Sequence, residues 1–392
     1  MLVNEYIYKN NLKNIRQNLK SKINYKLDVI APGRVNLIGE HTDYNGGYVL
    51  PCALNLSINL SFKINNKEST VKTDLGYSMK LNVNNSYKKS SIQWENYVLG
   101  VIQELRKIKS DLNNFSCDIK SSLPSGAGIS SSSALVCGLI KGISIINNLY
   151  LDNSEIIEIS RRVEHNYIGV LGGIMDQYTI LNAKENKAIL LNCHNLNTKY
   201  IGIDFGDLEI LLLDTNIKHN LASTEYNTRV KECKQALKII NLVNNKKHEN
   251  LSQVSLEEIN NSKNDLSLNQ YKRAFFVFNE NRRVIESVEV IENDNLSEFG
   301  ELMYQSHEGL KNNYEVSCKE LDFLVDQTKK INGVIGARMM GGGFGGCTVN
   351  LIKSKEIPEI VSKIKENYKS NFGINLKAII AKPGSGIKVV IN

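Results

Sequence analysis

Residues 123–134 read Leu-Pro-Ser-Gly-Ala-Gly-Ile-Ser-Ser-Ser-Ser-Ala, and this stretch joins two segments of different periodicity. Before it, residues 115–120 alternate apolar and polar side chains, which is typical of a strand. After it, residues 135–140 are mostly apolar and continue at helical spacing. The sequence therefore predicts a strand, then a loop of small residues, then a helix that begins near Ser130.

The start of this helix has the properties of an anion site. The first turn of a helix leaves backbone N–H groups unpaired, and the helix dipole adds partial positive charge there. Glycines let the backbone approach a ligand, whereas helix capping alone would need one serine and not four. We expect the phosphates of a nucleotide here, although the loop is neither the common P-loop nor a dinucleotide fingerprint. Its residues are Gly126, Ala127, Gly128, Ile129, Ser130, Ser131 and Ser132.

Composition limits the class of protein. The 392 residues are 42% hydrophobic and 23% charged, which is typical of a soluble globular protein with room for two cores. The formal charge of +7 is scattered along the chain, so nucleic acid is not implied. No apolar stretch reaches membrane-spanning length, and residues 1–20 lack the apolar region of a signal peptide. Seven cysteines without a Cys-x-x-Cys pair fit a reduced cytoplasm.

A second polar segment lies near the N-terminal end. Residues 33–47 read Gly-Arg-Val-Asn-Leu-Ile-Gly-Glu-His-Thr-Asp-Tyr-Asn-Gly-Gly, so Glu40, His41 and Asp43 fall within four residues, close to glycines. Such a loop usually serves a ligand, and a sugar suits it because hydroxyl groups need donors and acceptors at fixed angles. A metal remains the competing interpretation, although the spacing His-x-x-x-His is absent.

Two further glycine-rich segments follow. Residues 169–177 read Gly-Val-Leu-Gly-Gly-Ile-Met-Asp-Gln, and Asp176 is a lone acid before residues 178–181, which we interpret as an apolar strand. A carboxylate in this position is either buried and paired or catalytic, and the sequence leaves both open. Residues 340–347 hold five glycines in six positions, which predicts a loop against which another backbone packs closely.

The remaining periodicity predicts alternating helices and strands. A helix over residues 153–167 would be capped by Asn153 or Ser154. Further strands are predicted over residues 26–30, 54–64, 71–83, 208–213, 333–339, 348–352, 376–381 and 387–391, and further helices over residues 94–108, 223–243, 271–291, 296–311, 318–330 and 358–368.

The glycine-containing segments, in this order, resemble the three motifs of the GHMP kinases, which include galacto-, homoserine, mevalonate and phosphomevalonate kinases. Residues 33–45 look like the galactokinase signature almost letter for letter. The serine loop matches Pro-x-Gly-x-Gly-Leu-Ser-Ser-Ser apart from Ile129. Residues 173–177 are similar to that family's catalytic segment, and residues 222–229 resemble its sugar-contacting helix start.

The resemblance implies an α+β fold in two lobes, with residues 1–195 holding the first two motifs and residues 196–392 the third. The active site would lie in the cleft between the lobes. The implied reaction moves the γ-phosphoryl group of ATP to the anomeric hydroxyl of galactose, with Mg²⁺, and gives galactose 1-phosphate. We expect a cytoplasmic monomer whose partners are galactose and ATP, without nucleic acid or membrane.

The resemblance also implies a role for each matching residue. Asp176 would take the proton of the attacking hydroxyl, with Arg34 beside it, because phosphoryl transfer needs positioning and charge neutralisation. Ser132 and Glu164 would hold Mg²⁺, which prefers hard oxygen ligands. The serine loop would hold the phosphates, and Ser78 would reach the base side of the nucleotide. The residues implied to hold the sugar are Glu40, His41, Thr42, Asp43, Gly173 and Tyr226.

Two other functions stay open. N-acetylgalactosamine kinases share these motifs, and the shape of the site around the 2-position of the sugar would decide between the two substrates. A sugar- and ATP-binding regulator on the same fold is the second alternative. Such a regulator would have a damaged catalytic pair or serine loop, whereas Arg34, Asp176 and the serines are all present.

Overall fold

The computed structural model describes residues 26–65, 67–124, 126–217 and 222–392, and helices and strands alternate through them in an α+β arrangement, as predicted. The interpretation of residues 1–20 lies outside the described residues. Within those ranges, no helix combines the length and apolar character that crossing a membrane requires.

The strands form three sheets. They are numbered β1 to β14 in chain order among the described residues: Leu27–Asn36, Tyr48–Val49, Pro51–Ile64, Ser69–Thr73, Ser78–Leu81, Phe115–Ser121, Lys187–Asn192, Thr198–Gly202, Leu208–Asp214, Val334–Met339, Cys347–Lys353, Lys377–Ala381, Pro383–Gly384 and Lys388–Ile391.

The largest sheet has the order β14-β1-β3-β6-β4-β5, and β13 pairs with β3 beside this path. Its pairs are antiparallel except for β4 and β6. A second sheet has the order β10-β11-β9-β12, and a third has the order β2-β7-β8. The strands β13 and β14 come from the second half of the chain but pair with β3 and β1. The division at residues 195 and 196 stays a prediction.

The helices pack against these sheets. Numbered α1 to α10 in chain order, they are Gln93–Arg106, Ser131–Ile146, Asn153–Val163, Met175–Asn182, Ala222–Val243, Leu256–Asn261, Leu268–Glu292, Leu296–Gly309, Lys319–Thr328 and Ile357–Phe372. Two five-residue π-helical turns, Glu164–Ile168 and Leu310–Tyr314, continue α3 and α8.

The structure corrects three predictions. The single strand expected over residues 71–83 is wrong, because the chain forms two strands there, β4 and β5, which pair antiparallel on either side of a turn at residues 74–77. The strand expected over residues 178–181 is wrong, because these residues belong to α4, where Tyr178 donates its N–H to the Ile174 carbonyl. A four-residue apolar run is equally compatible with a buried helix. The cap of α3 is Asp152, not Asn153 or Ser154. Its carboxylate accepts the N–H of Glu155, whose own carboxylate accepts the Asp152 N–H.

The fold positions four loops around one cavity. The core of the largest sheet is packed against α2 and α4, and buried residues such as Val35, Ala134 and Ile180 belong to that core. Consequently the end of β1, the start of α2 and the start of α4 are held together. The loop between β10 and β11 contacts them from the second sheet, as described below.

Candidate active site

A cavity of about 350 Å³ in the described part of the chain is lined by charged, hydroxyl and aromatic side chains. The predicted catalytic pair, four of the predicted sugar side chains and the predicted magnesium ligands border it. Its lining consists of Arg34, Glu40, His41, Asp43, Tyr97, Ser132, Ser133, Glu164, Ile168, Val170, Gly172, Gly173, Met175, Asp176, Gln177, Tyr226, Gly341, Gly342 and Gly343.

The end of the serine loop forms one wall of the cavity at the start of α2, through Ser132 and the following Ser133. Gly126 and Gly128 have positive φ angles of 80° and 72°, and Ser130, with φ of 58°, immediately precedes the helix. The third glycine-rich loop packs on this backbone. A Cβ atom on Gly341 would lie 3.2 Å from the Gly128 carbonyl oxygen, and one on Gly346 would lie 3.7 Å from that of Gly126. The prediction of close backbone packing is therefore confirmed.

An ion pair lies at the centre of the cavity. The Nε of Arg34, on β1, donates to one carboxylate oxygen of Asp176 at 2.7 Å, and its Nη1 donates to the Gly128 carbonyl at 2.7 Å. The hydroxyl of Ser130 donates to the other oxygen of Asp176. Arg34 is buried, whereas 26% of the Asp176 side chain is exposed, so this carboxylate is paired and also accessible to a ligand.

The acidic segment after β1 forms the second wall. Glu40 is buried. Its Oε1 accepts hydrogen bonds from the Gly341 N–H at 2.9 Å and from the Arg338 guanidinium at 3.3 Å. His41 has a left-handed backbone with φ of 63°. Asp43 packs directly against Gly173, where a Cβ atom would lie 2.2 Å from its Oδ2. Burial, followed by the negative charge of Asp176, raises the pKa of Asp43 to about 7.

Tyr226 closes this wall from α5. Its ring centroid lies 5.3 Å from that of His41 and 5.4 Å from that of Tyr44, so three aromatic rings lie close together at this wall. Aromatic faces beside carboxylates suit a sugar, which has apolar C–H faces and polar edges.

Some predicted residues lie outside the cavity lining. Thr42 is buried, and its hydroxyl lies 2.8 Å from the Gly39 carbonyl oxygen and 2.6 Å from the Tyr48 carbonyl oxygen. Thr42 therefore stabilises the loop. Ser78 is exposed at the start of β5. The others are the serine-loop residues that are not part of the cavity lining: Gly126, Ala127, Gly128, Ile129, Ser130 and Ser131.

Glu164 directly follows α3 and contacts Ser133 of α2, and Ser132 borders the same cavity. Its Oε1 accepts the Ser133 hydroxyl at 2.7 Å, and its Oε2 accepts the Gln177 amide at 2.8 Å. Burial raises the pKa of Glu164 to about 7, and the negative charge of Asp176 adds to this effect. Within the described ranges no group of three His, Cys, Asp or Glu residues is placed to hold a metal. A Mg²⁺ site in a phosphoryl-transfer enzyme needs only one or two protein ligands besides phosphates and water, so Glu164 and Ser132 fit that ion.

Sequence reasoning missed several residues that support the site. Ser133 is the fourth serine of the run that begins at Ser130, and Gln177 directly follows Asp176. Both could have been predicted because each is next in sequence to a predicted site residue. Arg338 is fully buried at the end of β10, where its Nε donates to the Leu37 carbonyl at 2.8 Å. No local pattern connected Arg338 to Glu40, because the two lie far apart in the chain.

Comparison with known proteins agrees with this geometry. Family models match in three places: the galactokinase galactose-binding signature over residues 21–63, the GHMP kinase N-terminal domain over residues 96–184, and the GHMP kinase C-terminal domain over residues 287–370. The galactokinase of Thermosipho africanus is 38% identical over 348 residues, which cover 89% of this chain and 95% of that protein. The galactokinase of Clostridium tetani is 37% identical over 91% of both chains.

Solved structures give the same grouping. The crystal structure of Lactococcus lactis galactokinase complexed with galactose has a TM-score of 0.87 and 32% identity, covering 93% of this chain and 95% of its own. The mevalonate kinase of Methanococcus jannaschii, at 20% identity and a TM-score of 0.64, shares the fold. The fold is thus that of the GHMP kinases, and the chain belongs to the galactokinase family.

Proposed function

We propose that this chain transfers the γ-phosphoryl group of ATP to the anomeric hydroxyl of D-galactose. The observation that carries the proposal is the Arg34–Asp176 pair, with a nitrogen–oxygen distance of 2.7 Å, between an acidic segment and a helix start rich in backbone N–H groups. This arrangement puts a proton acceptor between a wall suited to hydroxyl groups and a wall suited to phosphates.

Asp176 is the proposed acceptor of the hydroxyl proton. A sugar hydroxyl is a poor nucleophile until its proton can leave, and a carboxylate within hydrogen-bond reach supplies an acceptor. The Ser130 hydroxyl and the Arg34 guanidinium hold the two oxygens of this carboxylate in place. Arg34 also offsets the negative charge of the transferring phosphoryl group.

Glu40, His41, Asp43 and Tyr226 are proposed to hold the sugar, with Gly173 leaving the room that Asp43 needs. Glu40 and Asp43 can accept hydrogen bonds from hydroxyl groups. A site whose buried groups are satisfied by particular hydroxyls rejects a sugar in which one hydroxyl is inverted, because its own groups are then unpaired. Thr42 is proposed to act through the loop that it braces.

The phosphates of ATP are proposed to lie at the start of α2. The residues of this subsite are Gly126, Ala127, Gly128, Ile129, Ser130, Ser131 and Ser132, with Ser78 on the base side. Ser132 and Glu164 would hold Mg²⁺. When bound, this ion neutralises phosphate charge. The raised pKa of Glu164 supports this proposal, because a nearby cation would favour the ionised form of a buried carboxylate.

The wider setting is also proposed. All seven cysteines are free thiols, which supports the reduced cytoplasm as the compartment. We propose a monomer in two lobes, divided near residue 195, with galactose and ATP as its partners and without nucleic acid or membrane.

A coupled assay of ADP release over a panel of sugars tests the proposal. We expect kcat/KM for galactose to exceed that for glucose and for N-acetylgalactosamine, and turnover to need Mg²⁺. A higher kcat/KM for N-acetylgalactosamine would move the assignment to that substrate. Binding of galactose and ATP without turnover would indicate a regulator.

A further inference from the structure

A line of buried polar atoms runs from His41 away from the cavity. The His41 Nδ1 lies 2.9 Å from the Tyr44 hydroxyl, which lies 2.8 Å from the Tyr314 hydroxyl. The Tyr314 hydroxyl in turn lies 3.0 Å from the Cys233 sulfur. Tyr314 is fully buried and is not among the residues that line the cavity, and its ring centroid lies 4.9 Å from that of His41.

The direction of the protons along this line follows from the groups at its far end. The Asn45 amide, which can only donate through Nδ2, reaches the Tyr314 hydroxyl oxygen at 3.4 Å. The Tyr314 proton then has two possible acceptors, the Tyr44 oxygen and the Cys233 sulfur. Sulfur is the weaker acceptor, so Tyr314 donates to Tyr44. Tyr44 consequently donates its own proton to His41.

The imidazole of His41 is neutral. Burial, assisted by the positive charges of Arg229, Arg273 and Arg338, lowers its pKa to about 3, although the Gly342 carbonyl opposes this shift. A neutral imidazole whose Nδ1 accepts a hydrogen bond carries its proton on Nε2. Within the described chain, the Gly342 carbonyl is near that Nε2 but does not form a hydrogen bond of good geometry with it, and His41 borders the cavity.

We propose that Tyr314 and Tyr44 are positioning residues that hold His41 as the Nε2–H tautomer, so that it donates a hydrogen bond to a hydroxyl oxygen of the bound sugar. This inference rests on the proposed function, because it takes the ligand of the cavity to be a sugar. His41 is then a donor beside the acceptors Glu40 and Asp43, which gives the site both kinds of group.

Hydrogen bonds from two arginines hold the backbone around Tyr314 in place. Arg229 donates to the Tyr314 carbonyl at 2.9 Å and to the Glu315 carbonyl at 2.7 Å. Arg273 donates to the Asn313 carbonyl at 2.5 Å. Two buried arginines therefore satisfy the carbonyl groups at the end of the π-helical turn and hold the Tyr314 ring in place.

Nitrogen NMR of the sugar-free protein tests the tautomer directly. With ring-labelled histidine, long-range proton–nitrogen correlation distinguishes Nδ1–H from Nε2–H, and the spectrum of the His41→Gln variant assigns the His41 signals. We expect one Nε2–H tautomer, with an Nδ1 resonance shifted by an accepted hydrogen bond. An Nδ1–H form or a mixture of tautomers in the wild type would overturn the proposal, whatever the enzyme does with galactose.

Hydroxyl deletions test the role of the tyrosines. In Tyr44→Phe we expect the His41 Nδ1 resonance to move toward that of a nitrogen without a hydrogen bond. In Tyr314→Phe we expect the same resonance to move in the same direction by a smaller amount. Galactose affinity should fall about fivefold in each, with ATP affinity unchanged. Tyr368→Phe is the control for galactose binding, since it deletes a fully buried hydroxyl that donates to the Thr215 carbonyl at 2.9 Å, and neither residue lines the cavity.

The outcomes separate the two proposals. An unchanged Nδ1 resonance in Tyr44→Phe would refute the positioning role. So would a loss of galactose affinity as large in Tyr368→Phe as in Tyr314→Phe. Failure of the wild type to bind galactose would refute the proposed function and leave the tautomer measurement valid. If a tyrosine variant does not fold, the wild-type spectrum still decides the tautomer.

Discussion

Replacing Gly173 by alanine should damage sugar binding by crowding Asp43 and the adjoining backbone of Tyr44. The added Cβ atom would lie 2.2 Å from Oδ2 and 2.4 Å from Cγ of Asp43, and 2.8 Å from the backbone nitrogen of Tyr44. An ordinary contact begins at 3.4 Å, so the Asp43 carboxylate must move by roughly 1 Å. The backbone of Gly173 is not left-handed, so the effect is steric and not one of backbone strain.

The magnitude follows from what Asp43 loses. A hydrogen bond to a charged group contributes about 1.5–3 kcal/mol, so displacing Asp43 should weaken galactose affinity by about 10- to 150-fold. ATP affinity should stay close to that of the wild type, because the phosphate subsite is on the other wall. Overpacking should lower the free energy of unfolding by about 1–3 kcal/mol.

Titration calorimetry with each ligand is the assay, and Gly172→Ala is the matched control. A Cβ atom on Gly172 would lie 3.7 Å from the Glu164 Oε2, which is an ordinary contact. The control adds the same methyl group one residue away and should retain galactose affinity. A folded Gly173→Ala protein with galactose affinity within threefold of the wild type would refute the reasoning.

Three further predictions address the other parts of the site. Asp176→Asn should lower turnover by about 10²–10⁴-fold while both ligands still bind; more than about a tenth of wild-type turnover in the coupled assay would contradict the proton-acceptor role. Gly128→Val places a branched residue at a φ of 72°, which costs about 1–2 kcal/mol of backbone strain and should weaken nucleotide binding roughly tenfold. Unchanged nucleotide affinity by calorimetry would argue against the phosphate subsite. Asp43, whose pKa is raised from 3.8 to about 7, binds more protons folded than unfolded between these values. The free energy of unfolding should therefore fall as pH rises from about 4 to about 7, and this slope should be smaller in Asp43→Asn when measured by urea denaturation at each pH; equal slopes would contradict the burial of this charge.

Local patterns predicted most helices and strands because their periodicity reflects one buried face. The failure at residues 178–181 has a physical reason, since α4 has eight residues and its apolar run is too short to show a period. The pairing of β13 and β14 with β3 and β1 is long-range, and the spacing of side chains along one strand does not specify its partner.

Most predicted site residues lie in or near glycine-containing segments of the sequence, and about half of them border the cavity. The residues that sequence reasoning missed depend on geometry between distant elements. The rotation of α2 after the left-handed Ser130 decides which serine contacts Glu164. In the structure, that serine is Ser133. Arg338 approaches Glu40 only because β10 ends beside the loop after β1.

The identity of the product tests the central claim most directly. The protein would be incubated with galactose, ATP and Mg²⁺, and the product examined by phosphorus–proton correlation NMR. We expect one new phosphate ester, with its phosphorus coupled to the anomeric proton of galactose, and an equal amount of ADP. A phosphate on any other carbon of the sugar, or ADP formed without phosphorylated galactose, would contradict the account.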